Sequence, residues 1–299
     1  MKTWQYALIV LVGGCCYGAL STFVKLAYSA GFTSSEVTGS QFLMGTLLIW
    51  IAALFSKKKK LTLAKVGKLL LSGIPLGLTS LFYYQALQSL NASLAIIFLF
   101  QFVWIGSLFE WFFYKKKPTL GKMISIGILV MGSILASGII SEGLGEITWH
   151  GTGWGMLSAL TYTTFIYLSS AVEKNTPVVQ KSALFTTGGM ITVFILSPPT
   201  GLLELPVLMD IAPYGFYLGL LGVVLPPILF TIGMPHIGPG LGTILTSSEL
   251  PIAVILSSII LSEQVSTTQW FGVVLILGGI AAGNLKLSQP KKMELESAS

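Results

Sequence analysis

Few residues in this chain of 299 can carry chemistry, and most of them stand inside long apolar runs. Glu249, in Ser248-Glu249-Leu250-Pro251, lies about midway along such a run. An ionised group at that depth costs about 2.5–3.5 kcal/mol on insertion scales, so it needs a partner or a water-filled cavity. A carboxyl there can take up and release a proton or hold a polar ligand. Its structural alternative is a neutral acid hydrogen-bonded to a neighbouring helix. Pro251 removes a backbone hydrogen bond two residues on and can kink the run. Lys25, toward one end of the first run, either snorkels to headgroups or meets an anionic group. Three amides, Gln41, Gln85 and Gln101, are deep enough to bond between helices or to line a path. Trp104 follows Gln101 by three residues, so the two share a helix face. Tyr83, Tyr84, Tyr162 and Tyr167 are further candidates for a path.

Other polar residues read first as structural. Glu110, one turn from a lysine cluster, is expected to pair with Lys115 or Lys117. Glu263 is expected to cap a helix end or to pack between repeats, and His236 to be an ordinary turn residue. No His/Cys/Asp cluster has metal-ligand spacing. A phosphate-cradling Gly-x-x-x-x-Gly-Lys-Ser/Thr loop and a Gly-x-Ser-x-Gly elbow are both absent. The expectation is therefore no catalytic residues, no metal, no cofactor and no enzymatic activity. Cys15 and Cys16 are adjacent in one helical run, point in different directions and form no disulfide framework.

The elements that must hold these groups follow from composition. Charged residues make up 9% of the chain, hydrophobic ones 53%, and mean hydropathy is +0.82; soluble domains carry roughly 25% charged residues. Ten apolar runs fall near 5–28, 35–56, 66–88, 92–113, 122–140, 151–171, 181–198, 212–234, 239–262 and 268–286. Each is long enough to cross a bilayer as a helix, the form that satisfies its own backbone in lipid. The first run is too long for a cleaved signal peptide. The expected fold class is an all-α integral membrane protein of ten transmembrane helices.

The net charge of +6 comes entirely from lysine, and the absence of arginine makes nucleic acid a poor partner. With an N-terminus inside, the lysines at 2, 57–60, 65, 68, 115–117, 122, 174, 181, 286, 291 and 292 all fall on one side. The opposite loops hold Glu36, Glu142, Glu146, Glu204, Asp210 and Glu263. The positive-inside rule then puts both termini in the cytoplasm of a multi-pass cell-membrane protein. Trp4 and Trp111 fall at the inner interface, and Trp149, Trp154 and Trp270 at the outer one.

A shift of about 147 residues lays Phe82–Ser133 over Leu229–Ile280, with Gly132 on Gly279. The chain divides into repeats at 1–145 and 146–288, with a disordered cytoplasmic tail at 289–299. Five helices per half is an odd number, so the halves form two inverted five-helix repeats, an arrangement that recurs in secondary transporters and also in channels. The motifs Gly14-x-x-x-Gly18 and Gly279-x-x-x-Gly283 allow close helix packing, either within the monomer or at a homodimer seam.

From Trp4 to Leu287 the chain resembles a drug/metabolite transporter of the EamA type. The resemblance rests on Ser248-Glu249-Leu250-Pro251 through Leu261-Ser262-Glu263-Gln264, then Trp270-Phe271-Gly272, Leu277-Gly278-Gly279, and Phe23-Val24-Lys25-Leu26-Ala27. It departs at Gln41-Phe42, where the family often carries Arg-Phe, and at Gln101-Phe102-Val103-Trp104, where a proline is usual. The resemblance implies a secondary transporter, an exporter of a small organic metabolite, amino acid or toxic compound; the residues themselves put Glu249, Pro251, Lys25, Gln41, Gln85, Gln101 and Trp104 along the expected pathway. Expected partners are the small-molecule substrate, the lipid bilayer and a coupling proton. A passive facilitator is the nearest rival, and a membrane-embedded enzyme or receptor a more distant one.

Overall fold

The computed structural model describes residues 2–90, 92–142, 148–262 and 264–284. Glu146, Glu263, the lysines at 286, 291 and 292, and the tail at 289–299 lie outside them. Among the described residues the chain is helical throughout: α1 (Thr3–Ser29), α2 (Ser34–Leu54), α3 (Leu63–Ser89), α4 (Ala92–Phe100), α5 (Phe102–Tyr114), α6 (Leu120–Ala136), a short α7 (Ile139–Glu142), α8 (Trp149–Ala171), α9 (Val178–Leu196), α10 (Leu205–Leu218), α11 (Leu225–Ile237), α12 (Pro239–Thr246), α13 (Glu249–Ile260) and α14 (Thr267–Asn284). Three pairs join end to end, α4 with α5, α10 with α11 and α12 with α13, leaving ten crossing segments. Seven are long and apolar enough to span by length and composition, and α6 and α14 are shorter apolar helices. The tenth, α8, is rich in Gly, Ser, Thr and Tyr, and it buries Ser158, Tyr162 and Thr163 among its neighbours rather than facing lipid.

The eighth crossing is longer than its apolar run indicates. It begins at Leu205, so Asp210 belongs to helix α10 rather than to a loop. Pro226 and Pro227 have no N–H, which deletes consecutive helical hydrogen bonds, and the backbone widens into a π turn over Gly219–Val224 just before them.

The two halves meet along glycines. A side chain at Gly73 of α3 would strike the Phe185 carbonyl of α9, one at Gly188 the Leu70 carbonyl, and one at Gly77 the Gly189 backbone. The counterpart crossing sets Gly45 of α2 against Val223 and Gly219 at the π turn. Between α6 and α14 the contacts are reciprocal. Gly132 lies on Ile276 and Gly279 on Leu129, while Ser125 Oγ donates to the Gly279 carbonyl at 2.7 Å. With no hydrophobic drive between helices in lipid, such close backbone approach supplies the packing energy. Gly14 and Gly18 of α1 likewise receive Ser248 and the Glu249 carbonyl, so this pair of glycines is used within the monomer. Gly283 lies where side-chain surroundings are not described.

Lys181 departs from the sequence reading. It is a residue of α9, 1% exposed, not a charge in a loop. Its Nζ donates to the Ser169 carbonyl at 2.9 Å, in the last turn of α8, and lies 5.4 Å from the Phe185 ring. The cation thus satisfies a carbonyl at a helix C-terminus, where the macrodipole favours positive charge. Nearby, Glu173 (φ 42°) reaches Lys65 at 3.6 Å and Lys68 at 3.9 Å. Gln180 exchanges two hydrogen bonds of 3.0 Å with the Lys59 backbone. Lys181→Met keeps the stem but orphans the carbonyl. The expected loss is about 1–3 kcal/mol, read as a lower Tm of the detergent-purified protein. An unchanged Tm would show the bond to be dispensable.

Candidate functional site

Two crossings are broken at the same relative place. The fourth breaks at Gln101 and the ninth at Ser247-Ser248, and Gln101 and Ser248 share φ −60° and ψ −15°. These positions are related by the same shift of about 147 residues that relates Gly132 to Gly279. In both, the chain tightens to a three-residue bond, Gln101 N–H to the Phe98 carbonyl and Ser248 N–H to the Leu245 carbonyl, each 3.2 Å. Pro251 is the third residue of α13, where a missing N–H costs no helical bond; the break precedes it. The ninth-crossing break is seated by Ser248 Oγ, which donates to the Leu11 carbonyl at 2.9 Å, in the space left by Gly14.

A cavity of about 740 Å³ lies between the halves, within the range of small-molecule sites. It runs from Glu249, Tyr17, Tyr162 and Phe102 at its base to the helix ends at Leu90 and Leu261, away from the lysine clusters. Walls come from α1, α3, α4 and α13, with Gln41 of α2 and Gly222 of the π turn at one side. The Glu249 carboxyl sits within electrostatic reach of the Tyr17, Tyr83 and Tyr162 hydroxyls. Its Oε2 is buried with no hydrogen-bond partner, as are the Tyr17 and Tyr162 hydroxyls and Thr22 Oγ1. Tyr162 stands close enough to the Glu249 carboxyl for the hydroxyl and the carboxyl to interact directly. A buried polar atom without a partner is costly, and such atoms along the lining give the cavity polar groups that a ligand can meet.

The lysine side of the base is closed by rings packed edge to face. Tyr162 meets Phe102 edge-on at 4.9 Å and Tyr17 at 5.6 Å; Phe230 lies 5.9 Å from Tyr17 and 6.3 Å from Phe165. Edge-to-face pairs add about 0.5–1.5 kcal/mol each beyond burial. Beyond them Met234 is fully buried against Gly242. Glu110 is paired with Lys122 rather than with Lys115 or Lys117, because α6 runs back alongside α5 while the other two lysines follow the end of α5. Gly240 of α12 covers that pair. His236 stacks on Tyr6 at 3.8 Å and bonds the Ile232 carbonyl through Nδ1.

The sequence-derived candidates separate into two groups. Glu249, Lys25, Gln41, Tyr83, Tyr84 and Tyr162 line the cavity, with Lys25 about two turns along α1 from Gly18. Gln41 is 3% exposed, accepts from the Tyr84 hydroxyl at 3.4 Å and abuts Gly222. The structure does not bring Gln85, Gln101, Trp104, Pro251 or Tyr167 to it. Gln85 is exposed on the outer surface of α3. Trp104 Nε1 donates to Gln101 Oε1 at 2.6 Å, and Gln101 Nε2 donates to the Ile97 carbonyl, so the two satisfy each other on the far face of the fourth crossing. Tyr167 donates to the Gly106 carbonyl. Tyr17, Phe102, Ser257 and Gln269 were not singled out. The repeat register was the signal available for three of them, since it pairs Phe102 with Glu249, Ser257 with Glu110 and Gln269 with Lys122.

One crystal structure of a protein superposes on the chain with a TM-score of 0.77 at 16% identity, covering 96% of this chain and 100% of its own; that likeness establishes the fold. Comparison with curated protein sequences gives no match. The EamA-like transporter family matches twice, at residues 4–138 and 149–284, five crossing segments in each. With both halves matched across nearly its whole length, the chain belongs to the EamA-like transporter family.

Proposed function

We propose that the chain is a secondary active transporter of the cell membrane, exporting a small organic metabolite, amino acid or toxic compound. Both termini and the lysine-rich loops are cytoplasmic, by the positive-inside rule. The cavity then faces outward in the conformation described. The observation that carries the reading is a cavity lined by both repeats that has the buried Glu249 carboxyl at its base and packed rings on its lysine side. Residues 1–145 and 146–288 rock against each other and expose the cavity alternately. Glu249 carries the coupling proton or holds the substrate.

The test is flux in proteoliposomes under an imposed pH gradient, with a panel of amino acids and amphipathic toxic compounds. Concentrative movement that follows the gradient is the expected result. Equilibration at a rate blind to the gradient would identify a passive facilitator, and no flux with any member would count against transport of these classes.

A further inference from the structure

The two halves agree in register well enough to compare equivalent positions atom by atom, and one equivalent pair is closed in one half and open in the other. Thr119 caps α6, its Oγ1 accepting from the N–H of Lys122; at the same place before α14, Ser266 Oγ accepts from the N–H of Gln269. Ser125 meets Gly279 just as Gly272 meets Gly132, so the α6–α14 contact is two-fold symmetric in the same register. A contact that is already symmetric has no need to change when the halves exchange conformations.

Their neighbours are not symmetric. In the first half the Lys122 side chain makes no return bond to its cap residue but pairs with Glu110 of α5, under Gly240 of the second half, on the closed side. In the second half the equivalent groups are Ser257 of α13 and Gln269 of α14, and both line the cavity. Gln269 turns back, its Oε1 accepting from the Ser266 N–H at 2.7 Å, and Ser257 Oγ donates to the Val254 carbonyl in its own helix at 3.1 Å.

We infer that Ser257 and Gln269 are the gate residues of the cavity-open side. When the second half adopts the conformation of the first, Gln269 leaves its capping bond and meets Ser257 across the mouth, while Glu110 and Lys122 separate on the other side. This rests on the alternating-access reading above. The two closures differ in strength. The lysine-side latch is a charge-assisted pair, about twice as strong as a neutral one, whereas closing the far side joins two neutral groups and gives up one of the two reciprocal capping bonds of α14. The empty protein therefore rests with the lysine side shut, and occupation of the cavity supplies the difference.

The experiment uses the full chain with Cys15→Ser and Cys16→Ser, purified in detergent, and two cysteine pairs cross-linked by copper phenanthroline. Glu110→Cys with Lys122→Cys is expected to cross-link rapidly. Ser257→Cys with Gln269→Cys is expected to cross-link about tenfold more slowly, and to speed up when Glu110→Gln removes the opposing latch. A separate variant, Ser257→Glu with Gln269→Lys, places an ion pair on the far side without disturbing Glu110. It should slow labelling of a Ser137→Cys reporter in the cavity by a polar maleimide about tenfold. Cross-linking of 257 with 269 that ignores Glu110→Gln, together with reporter labelling at the unaltered rate, would overturn the gate. Neither readout requires flux. Exchange of the cross-links without any transport would sink the transporter reading alone, and transport without exchange would sink the gate alone.

Discussion

Glu249→Gln is expected to abolish concentrative, gradient-driven transport and leave only downhill equilibration. Glutamine fills the volume of glutamate and keeps an acceptor and a donor near the Tyr17 and Tyr162 hydroxyls, so the cavity base keeps its shape. What it loses is the ability to gain and release a proton. The carboxyl is the acidic group lining the cavity among the described residues. Because its Oε2 makes no bond that glutamine would break, folding stability should stay within about 1 kcal/mol of the parent protein. The measurement is paired: uptake against a concentration gradient in proteoliposomes, and Tm in detergent. Full gradient-driven uptake in the variant would remove Glu249 from proton coupling. A collapse of Tm would instead assign it to packing. Glu249→Asp keeps the proton but withdraws it by a methylene, and intermediate transport is the outcome consistent with a role set by position.

The second large effect is structural. Gly73→Val should cost more than about 3 kcal/mol, lowering Tm by about 5–10 °C or preventing accumulation of folded protein. An ideal Cβ at Gly73 falls on the Phe185 carbonyl, which is backbone and cannot rotate away, and Gly188 meets Leu70 reciprocally at the same crossing. Separating α3 from α9 would also disturb Leu76, Thr79 and Tyr83 in the cavity wall. Gly67 on the same helix is the control, since a Cβ there meets nothing within 4 Å. Gly67→Ala should be neutral or stabilise by about 0.5–1 kcal/mol. Equal effects at the two positions would show that helix propensity, and not the crossing, sets the response.

These two residues differ in how far they can be read without a fold. Glu249 stands out in the sequence because a carboxyl in a membrane-depth apolar run has a cost that any reader can assign. Gly73 is one of 33 glycines, and nothing local separates it from Gly67 on the same helix. Gln101 and Trp104 show the opposite case. They are polar, deep and on one face, but the face is settled by which neighbour packs there, and they bond each other instead of a ligand. Lys181 shows a third case, a charge near a span boundary that one more turn of helix carries inside, where the Ser169 carbonyl receives it.

What the amino-acid sequence determined on its own was the set of ten crossings, the lysine side and the doubling of five segments. Each of these is a sum over residues of the cost of leaving water, or a repeat of such sums along the chain, and needs no knowledge of neighbours. The tertiary structure decided which polar groups face one cavity, that Lys122 and not its neighbours answers Glu110, and which glycines carry a helix crossing. Those outcomes depend on pairs of residues far apart in the chain and on contacts of a few ångströms. The direction of a side chain around a buried helix is set by its packing partners, which hydropathy does not encode.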